Sequence, residues 1–251
     1  PGRYYDININ GTRTLLDAMI RAGVGRMVFS SSCAVYAAHD APLTERNALG
    51  PANPYGFSKL VCEQMLADYE TAHGLRSIRL RYFNAAGADP DGEIGEHHDP
   101  ETHLIPLVLN AAAGRRDAIT VFGSDYETRD GTAVRDYVHV SDLADAHVTA
   151  AEYLAAGAES AVFNLGTGTG ASVREVIDAA QRVTDRRIGS IDAARRPGDH
   201  PVLVAGAEQA RQGLNWRPQR SDLETVLRDA WAWSQRRFGD AQAAPNPEAK
   251  S

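Results

Sequence analysis

Three residues of this chain have types and spacing suited to proton chemistry: Tyr55 and Lys59 in "PYGFSK", and Ser32 at the end of "VFSSS". Tyr55 and Lys59 stand four positions apart, the spacing that brings two side chains onto one face of a helix. A phenol with an ordinary pKa near 10 must drop by about three pH units to act as a base at neutral pH, ~4 kcal/mol of differential stabilisation. An ammonium beside it in a partly dry cleft can supply much of that. A hydroxyl at Ser32 can bridge the phenol and a substrate hydroxyl. Plain readings stand beside these. Lys59 can pair with Glu63 one turn later, and Ser30, Ser31 and Ser32 can be a polar strand terminus and nothing more. A second group, His97, His98, Asp99 and His103 in "HHDPETH", offers metal-ligand types. A polar loop explains the same residues, and no metal is expected. Cys33 has no evident base to make it a thiolate.

Such side chains need strands and helices to hold them. The chain opens in a helix with Leu15, Leu16, Met19 and Ile20 as its apolar stripe and Gly23 at its end. "GRMVFSSS" reads as a buried parallel strand. The "PYGFSK" helix follows, with Leu60, Val61, Met65, Leu66 and Tyr69 packing and "HG" terminating it, and "SIRLRYFN", residues 77–84, is the next strand. This alternation predicts an α/β sheet with crossover connections. Ligands of such sheets sit outside the carboxyl ends of the strands. Ser32 and Asn84 occupy two such ends, and Tyr55 begins the helix between them.

Beyond a loop-rich stretch, a helix is expected from about Leu104 to Ala113, then strands in "AITVFG" and "RDYVHV" and a helix from Ser141. Asp142 lies where a carboxylate suits that helix's N-terminal dipole. "SAVFNLG" is a further strand, and Ser172 with Glu175 forms a capping box. The expected division is 1–84 for the first domain, 85–238 for a smaller α/β substrate domain with segments returning to the first sheet, and a flexible tail, 239–251.

With 251 residues there is ample chain to bury a core, and 43% hydrophobic with 24% charged residues is ordinary for a globular protein. A net charge of −7 and dispersed arginine pairs argue against a nucleic-acid partner. No apolar run is long enough to span a membrane, and two cysteines without metal or redox spacing fit a cytoplasmic location.

A resemblance covers nearly everything from Tyr4 to Trp233. "YYDININGTRTLL", "VFSSSCAVY", "NPYGFSK", "LRYFNAAGADPDGEIGE", "HLIPLVL", "GTAVRDYVHVSDLADAH", "FNLGTGTGASVREV" and "RRPGDHPVLVA" follow, in order and spacing, the UDP-glucose 4-epimerases, extended short-chain dehydrogenases/reductases. The resemblance implies NAD-dependent interconversion of UDP-glucose and UDP-galactose through a 4-keto sugar. Tyr55 would be the base, Lys59 its activator and a ribose contact, and Ser32 the proton relay. Asn8, Ser30, Tyr82 and Phe83 would join Tyr55 and Lys59 at the cofactor. Asn84, Arg135 and Arg196 would hold the diphosphate, Asp199 the uridine ribose and Phe122 the uracil; His103, Leu104, Thr120 and Leu203 complete the substrate residues. The fold implied is a Rossmann-type parallel sheet lacking its first βα units, and a homodimer through the helices near Asn10 and Tyr55.

"NLGTGTGA" fits a dinucleotide fingerprint through Gly166, Gly168 and Ala171, with Asp192 at a ribose-binding distance. The family instead puts this segment in the sugar-nucleotide domain. The true NAD loop would lie upstream, in about three βα units of roughly 30 residues each, so the chain as given is expected to bind NAD poorly and to turn over little. Ile7 stands where the family motif has an asparagine, and His103 where some members have one. Leu203 stands where some carry a tyrosine, which predicts tolerance of N-acetylated sugars. A nucleotide-sugar 4,6-dehydratase is disfavoured because Cys33 and Ala34 follow Ser32 and can serve as neither acid nor base. A non-catalytic nucleotide-sugar-binding module is the remaining alternative.

Overall fold

The computed structural model describes residues 1–37, 42–196 and 198–239; the tail expected to be flexible lies outside the described residues from position 240 on. The chain enters at once into helix: α1 (Gly2–Tyr4), a π-helical stretch Tyr5–Asn10, then α2 (Gly11–Arg21). There follow β1 (Arg26–Ser32), a 3-10 turn Cys33–Val35, α3 (Pro54–His73), β2 (Arg76–Tyr82), β3 (Asn84–Ala86) and α4 (Leu104–Ala112). Next come β4 (Ile119–Phe122), β5 (Val134–Arg135), β6 (Tyr137–His139), α5 (Val140–Ala155), β7 (Ala161–Leu165), β8 (Ala171–Ser172) and α6 (Val173–Thr184). β9 (Ser190–Ala193), β10 (Val202–Leu203), α7 (Glu208–Gly213) and α8 (Leu223–Phe238) complete the described chain.

The class is α/β, with a Rossmann-like sheet. β1, β2 and β7 run parallel in the order β1–β2–β7, so α3 is the crossover between the first two. Ser32 pairs in register with Tyr82, which puts the ends of β1 and β2 side by side. β3 leaves that edge and pairs in parallel with β6, and the smaller sheets β10–β5–β8 and β4–β9 lie in the second half. Two of the apolar clusters divide the same way. Leu16, Phe29, Cys62, Leu66 and Leu75 pack α2 and α3 on the sheet, while Ile105, Leu109, Val121, Ile177 and Leu227 close the second half.

Local chemistry explains where the helix carrying Tyr55 starts. Asn53 caps α3 by accepting from the Gly56 amide at 2.9 Å, Pro54 supplies a first helical residue with no amide to satisfy, and Gly74 ends the helix at φ 70°. A Cβ at Gly56 would stand 2.1 Å from the Ala34 carbonyl oxygen. The bare α-carbon is what lets the first turn of α3 settle on the turn that follows Ser32.

Two expectations need correction, and a third gains a second partner. Leu15 is 49% exposed, and the buried stripe of α2 is Leu16 and Met19. Glu63 does not pair with Lys59: it points under the sheet, where its carboxylate accepts from Arg81 Nε at 2.9 Å and from the Ser31 hydroxyl. Arg81 also donates to the Tyr36 hydroxyl at 3.0 Å, so the ion pair is embedded in a buried network. Asp142 does stand in the first turn of α5, but its carboxylate accepts from the Gln219 and Arg220 amides at 2.8 and 3.0 Å, tying down a distant loop. The cap of α5 is His139, whose Nδ1 accepts from the Ser141 amide.

Candidate active site

Ser32 ends β1 largely buried, its Oγ accepting from the Ala34 amide at 3.2 Å. Tyr55 stands on the first turn of α3, near enough to Ser32 for that hydroxyl to act on its phenol. Lys59, one turn on, donates from Nζ to the Ser30 carbonyl at 2.9 Å and lies 5.0 Å from the Phe29 ring centre and 5.8 Å from that of Tyr55. Burial pushes the Tyr55 phenol above its ordinary value, against the pull of the Ser32 hydrogen bond. Burial pushes the Lys59 ammonium down. The net direction at Tyr55 is therefore opposite to the one expected from the spacing alone: the chain's own groups leave the phenol a weaker acid than in water.

Of the cofactor-side residues, Asn8 directs its amide nitrogen to Ser58 Oγ at 2.8 Å, and Ser58 in turn donates to the Tyr55 carbonyl at 2.7 Å. Ser30 Oγ meets His147 Nε2 at 2.8 Å, while His147 Nδ1 donates to the Leu143 carbonyl at 2.7 Å. Tyr82 stands near the same imidazole, and Phe83 is buried in the core. Ser58 and His147 were not singled out in the sequence, although Ser58 lies inside "PYGFSK" and His147 follows "SDLADA". The residues fit a bound dinucleotide in one specific respect. The Lys59 ammonium carries three donors and, among the described residues, a single hydrogen-bond acceptor, Ser30 O, which leaves donors for ribose hydroxyls.

On the substrate side the structure gathers two groups. Arg135 donates to the His200 carbonyl at 2.8 Å and to Asp199 Oδ1 at 3.2 Å, and Leu203 pairs with Arg135 in the β10–β5 register. The Arg196 guanidinium sits over Phe122, 3.8 Å from the ring centre, with Thr120 two residues back on β4. Asn84 donates from Nδ2 to the Asp136 carbonyl at 3.0 Å and opens β3 beside the end of β2. His103 immediately precedes Leu104, the first residue of α4; contact with Glu96 pushes its imidazole above its usual range. His98, Glu101 and His103 come together, whereas Asp99 is not in that group and His97 packs on Phe238.

The fingerprint-like loop is filled by its own protein. The fully buried Asp136 carboxylate accepts from the Thr167 amide and hydroxyl at 2.8 and 2.7 Å, the Gly168 amide at 3.0 Å and the Ala205 amide at 3.1 Å. A Cβ at Gly166 would lie 2.6 Å from Asp136 Oδ2. The amides that would cradle a pyrophosphate thus already hold an anion. At Cys33 burial pushes the thiol up to about 12, so it serves as neither thiolate nor acid beside Ser32.

Residues 1–166 match the model of the NAD dependent epimerase/dehydratase family. The chain is 54% identical over 238 residues to the UDP-glucose 4-epimerase of Rhizobium meliloti (strain 1021), covering 94% of this chain and 72% of that protein. It superposes with a TM-score of 0.91 on the crystal structure of the Brucella ovis UDP-glucose 4-epimerase in complex with NAD, at 49% identity, covering 96% of this chain and 73% of that one. The UDP-Glc/GlcNAc 4-epimerase from Campylobacter jejuni aligns with a TM-score of 0.79 and 39% identity over 93% of this chain and 71% of that one.

Proposed function

Because the chain belongs to the NAD dependent epimerase/dehydratase family, we propose that it interconverts UDP-glucose and UDP-galactose by oxidising C4 of the sugar and reducing it again from the other face. The observation that carries this reading is the meeting of Ser32 and Tyr55, from the end of β1 and the start of α3, with Lys59 one turn behind. NAD would be held at Asn8, Ser30, Lys59, Tyr82 and Phe83. The chemistry it supplies when bound is reversible hydride acceptance at a positively charged ring, a charge that opposes the upward push of burial on the phenol.

In this reading the Tyr55 oxygen takes the proton of the sugar 4-hydroxyl, directly or through Ser32, as the C4–H bond breaks, and gives it back when that bond re-forms. Lys59 holds the ribose with the donors that Ser30 leaves free. Arg135 and Arg196 grip the diphosphate as planar forks, Asp199 binds the uridine ribose and Phe122 the uracil, with Asn84, His103, Leu104 and Thr120 completing the cradle. Gripping the nucleotide and leaving the sugar loose lets the 4-keto intermediate turn over between the two half-reactions. Leu203 bounds the sugar with a smaller wall than a tyrosine would, which supports acceptance of N-acetylated sugars.

The same reading makes the protein a cytoplasmic homodimer. No described helix is long and apolar enough to cross a membrane. The dimer is supported by Tyr4, Tyr5, Ile7, Leu15 and Phe57, which expose apolar surface on the first helices and on α3. The test is UDP-galactose turnover followed by UDP-glucose formation. In a chain joined to the upstream NAD-binding βα units, Tyr55→Phe is expected to lower kcat by about 10²–10⁴-fold; an unchanged rate removes Tyr55 from the mechanism, and no interconversion by that joined protein loaded with NAD removes the activity itself.

A further inference from the structure

The neighbouring arginines 195 and 196 are held in unlike ways. The Arg196 guanidinium has the Phe122 ring 3.8 Å away and, among the described residues, no hydrogen bond or ion pair. Arg195 is held three times over. Its Nε donates to Asp125 Oδ1 at 2.7 Å, its Nη2 donates to the Asp125 carbonyl at 2.6 Å, and its guanidinium lies 4.3 Å from the centre of the Tyr126 ring. That ring is itself fixed: Tyr126 is 6% exposed, its amide donates to the Gly131 carbonyl at 2.9 Å, and a Cβ at Gly123 would stand 2.4 Å from it. β4 and β9 run parallel with Phe122 opposite Ala193, and the Gly123 amide donates to the Ala193 carbonyl at 2.8 Å. The loops after the two strands therefore leave the same sheet end side by side, and Arg195 crosses from one to the other.

We propose that Arg195 is a positioning residue for the UDP moiety: it locks the loop after β9 onto the turn after β4 and so holds Arg196 at Phe122 with its fork free for the diphosphate. This rests on the reading of Phe122 and Arg196 as nucleotide residues. Arg196 then lies between two anchors, Arg195 on one side and, on the other, Asp199 and His200, both bonded by Arg135. A lone exposed ion pair contributes little, but here it is joined by a backbone acceptor and a buried aromatic face. The two bonds to Asp125 use the planar fork of the guanidinium, which a lysine cannot reproduce. A long side chain on a base that is already fixed loses less freedom when it takes hold of a ligand.

The experiment measures UDP binding to the full chain by titration calorimetry and uridine binding by ligand-detected NMR. The Arg195 side chain is 47% exposed, so its replacement leaves the core packing intact. Arg195→Ala is expected to weaken UDP about tenfold and uridine by under about twofold. Arg195→Lys, which keeps the charge without the fork, should weaken UDP nearly as much. In an Arg196→Ala background, Arg195→Ala should cost nothing further. Equal UDP affinity in Arg195→Ala and the wild type overturns the proposal. So do full recovery in Arg195→Lys, which makes Arg195 a plain charge, an equal loss of uridine, which makes it general support of the fold, and an additive loss in the Arg196→Ala background, which makes it a separate phosphate ligand. A wild-type chain that binds no UDP overturns the nucleotide reading itself, and the proposal with it.

Discussion

Lys59 and Asp136 are both charged groups removed from water beside a strand end, and they are treated in opposite ways. The Asp136 carboxylate is surrounded by four donors from Thr167, Gly168 and Ala205. Lys59 has one carbonyl, and burial depresses its pKa. A buried polar group with every bond made holds a fold together. A cation left with donors to spare in a desolvated cleft is poised for something that is not there until a ligand arrives. The glycine-rich loop that looks like a nucleotide site belongs to the first kind, and the modest YxxxK pair to the second.

Replacing the two in turn tests that contrast. Lys59→Met should lower kcat/KM by about 10²–10³-fold, because it removes both a ribose donor and a charge beside the base, while leaving the urea midpoint unchanged or slightly higher. A marked loss of stability would mean that Lys59 is structural. Asp136→Asn should do the reverse in emphasis. Its amide nitrogen would face the Gly168 and Ala205 amides, donor to donor, and cost about 2–4 kcal/mol in denaturant unfolding. If the loop were the NAD site, that variant would change NAD affinity directly without destabilising the chain.

A pH experiment makes the distinction finer. Lys59 has a folded pKa below its ordinary 10.5, so between those two values the unfolded chain binds more protons than the folded one. Stability relative to Lys59→Met must then rise with pH across that window and level off above it. Parallel stability curves for the two proteins would show that Lys59 is not desolvated. The smallest effect is expected at the sugar wall: Leu203→Tyr should reduce turnover of an N-acetylated UDP-sugar about tenfold against UDP-glucose, and an unchanged ratio would remove Leu203 from the specificity pocket.

Much of the framework was legible because it depends on neighbours in sequence. The apolar runs mark β1 and β2, Gly74 stops α3, and Ser172 with Glu175 forms the capping box as expected. Less legible were side chains with two partners to choose from. Glu63 has Lys59 one turn before it, but its helix face looks inward at Arg81, a choice that depends on how α3 lies on the sheet. Asp142 has its own helix dipole nearby and also reaches the loop at Gln219, a residue with no sequence relation to it. Asp136 sits inside the recognisable "VRDY", yet its engagement with Thr167 and Gly168 follows from the antiparallel pairing of β5 and β8, short strands with almost no periodic signal. Desolvation at Tyr55 is likewise a property of depth, which spacing alone does not report.

Gly56 shows how far a routine stabilising strategy can mislead here. A protein engineer scanning helices for weak formers would replace it with alanine, a change worth about 1 kcal/mol in an exposed helix interior. At this position the added methyl carbon meets the Ala34 oxygen at 2.1 Å, so the helix would have to lift off the turn after Ser32 and carry the phenol away from its serine. Propensity-guided thermostabilisation of this chain should therefore leave position 56 alone: its contribution to the site is the space left by a missing atom.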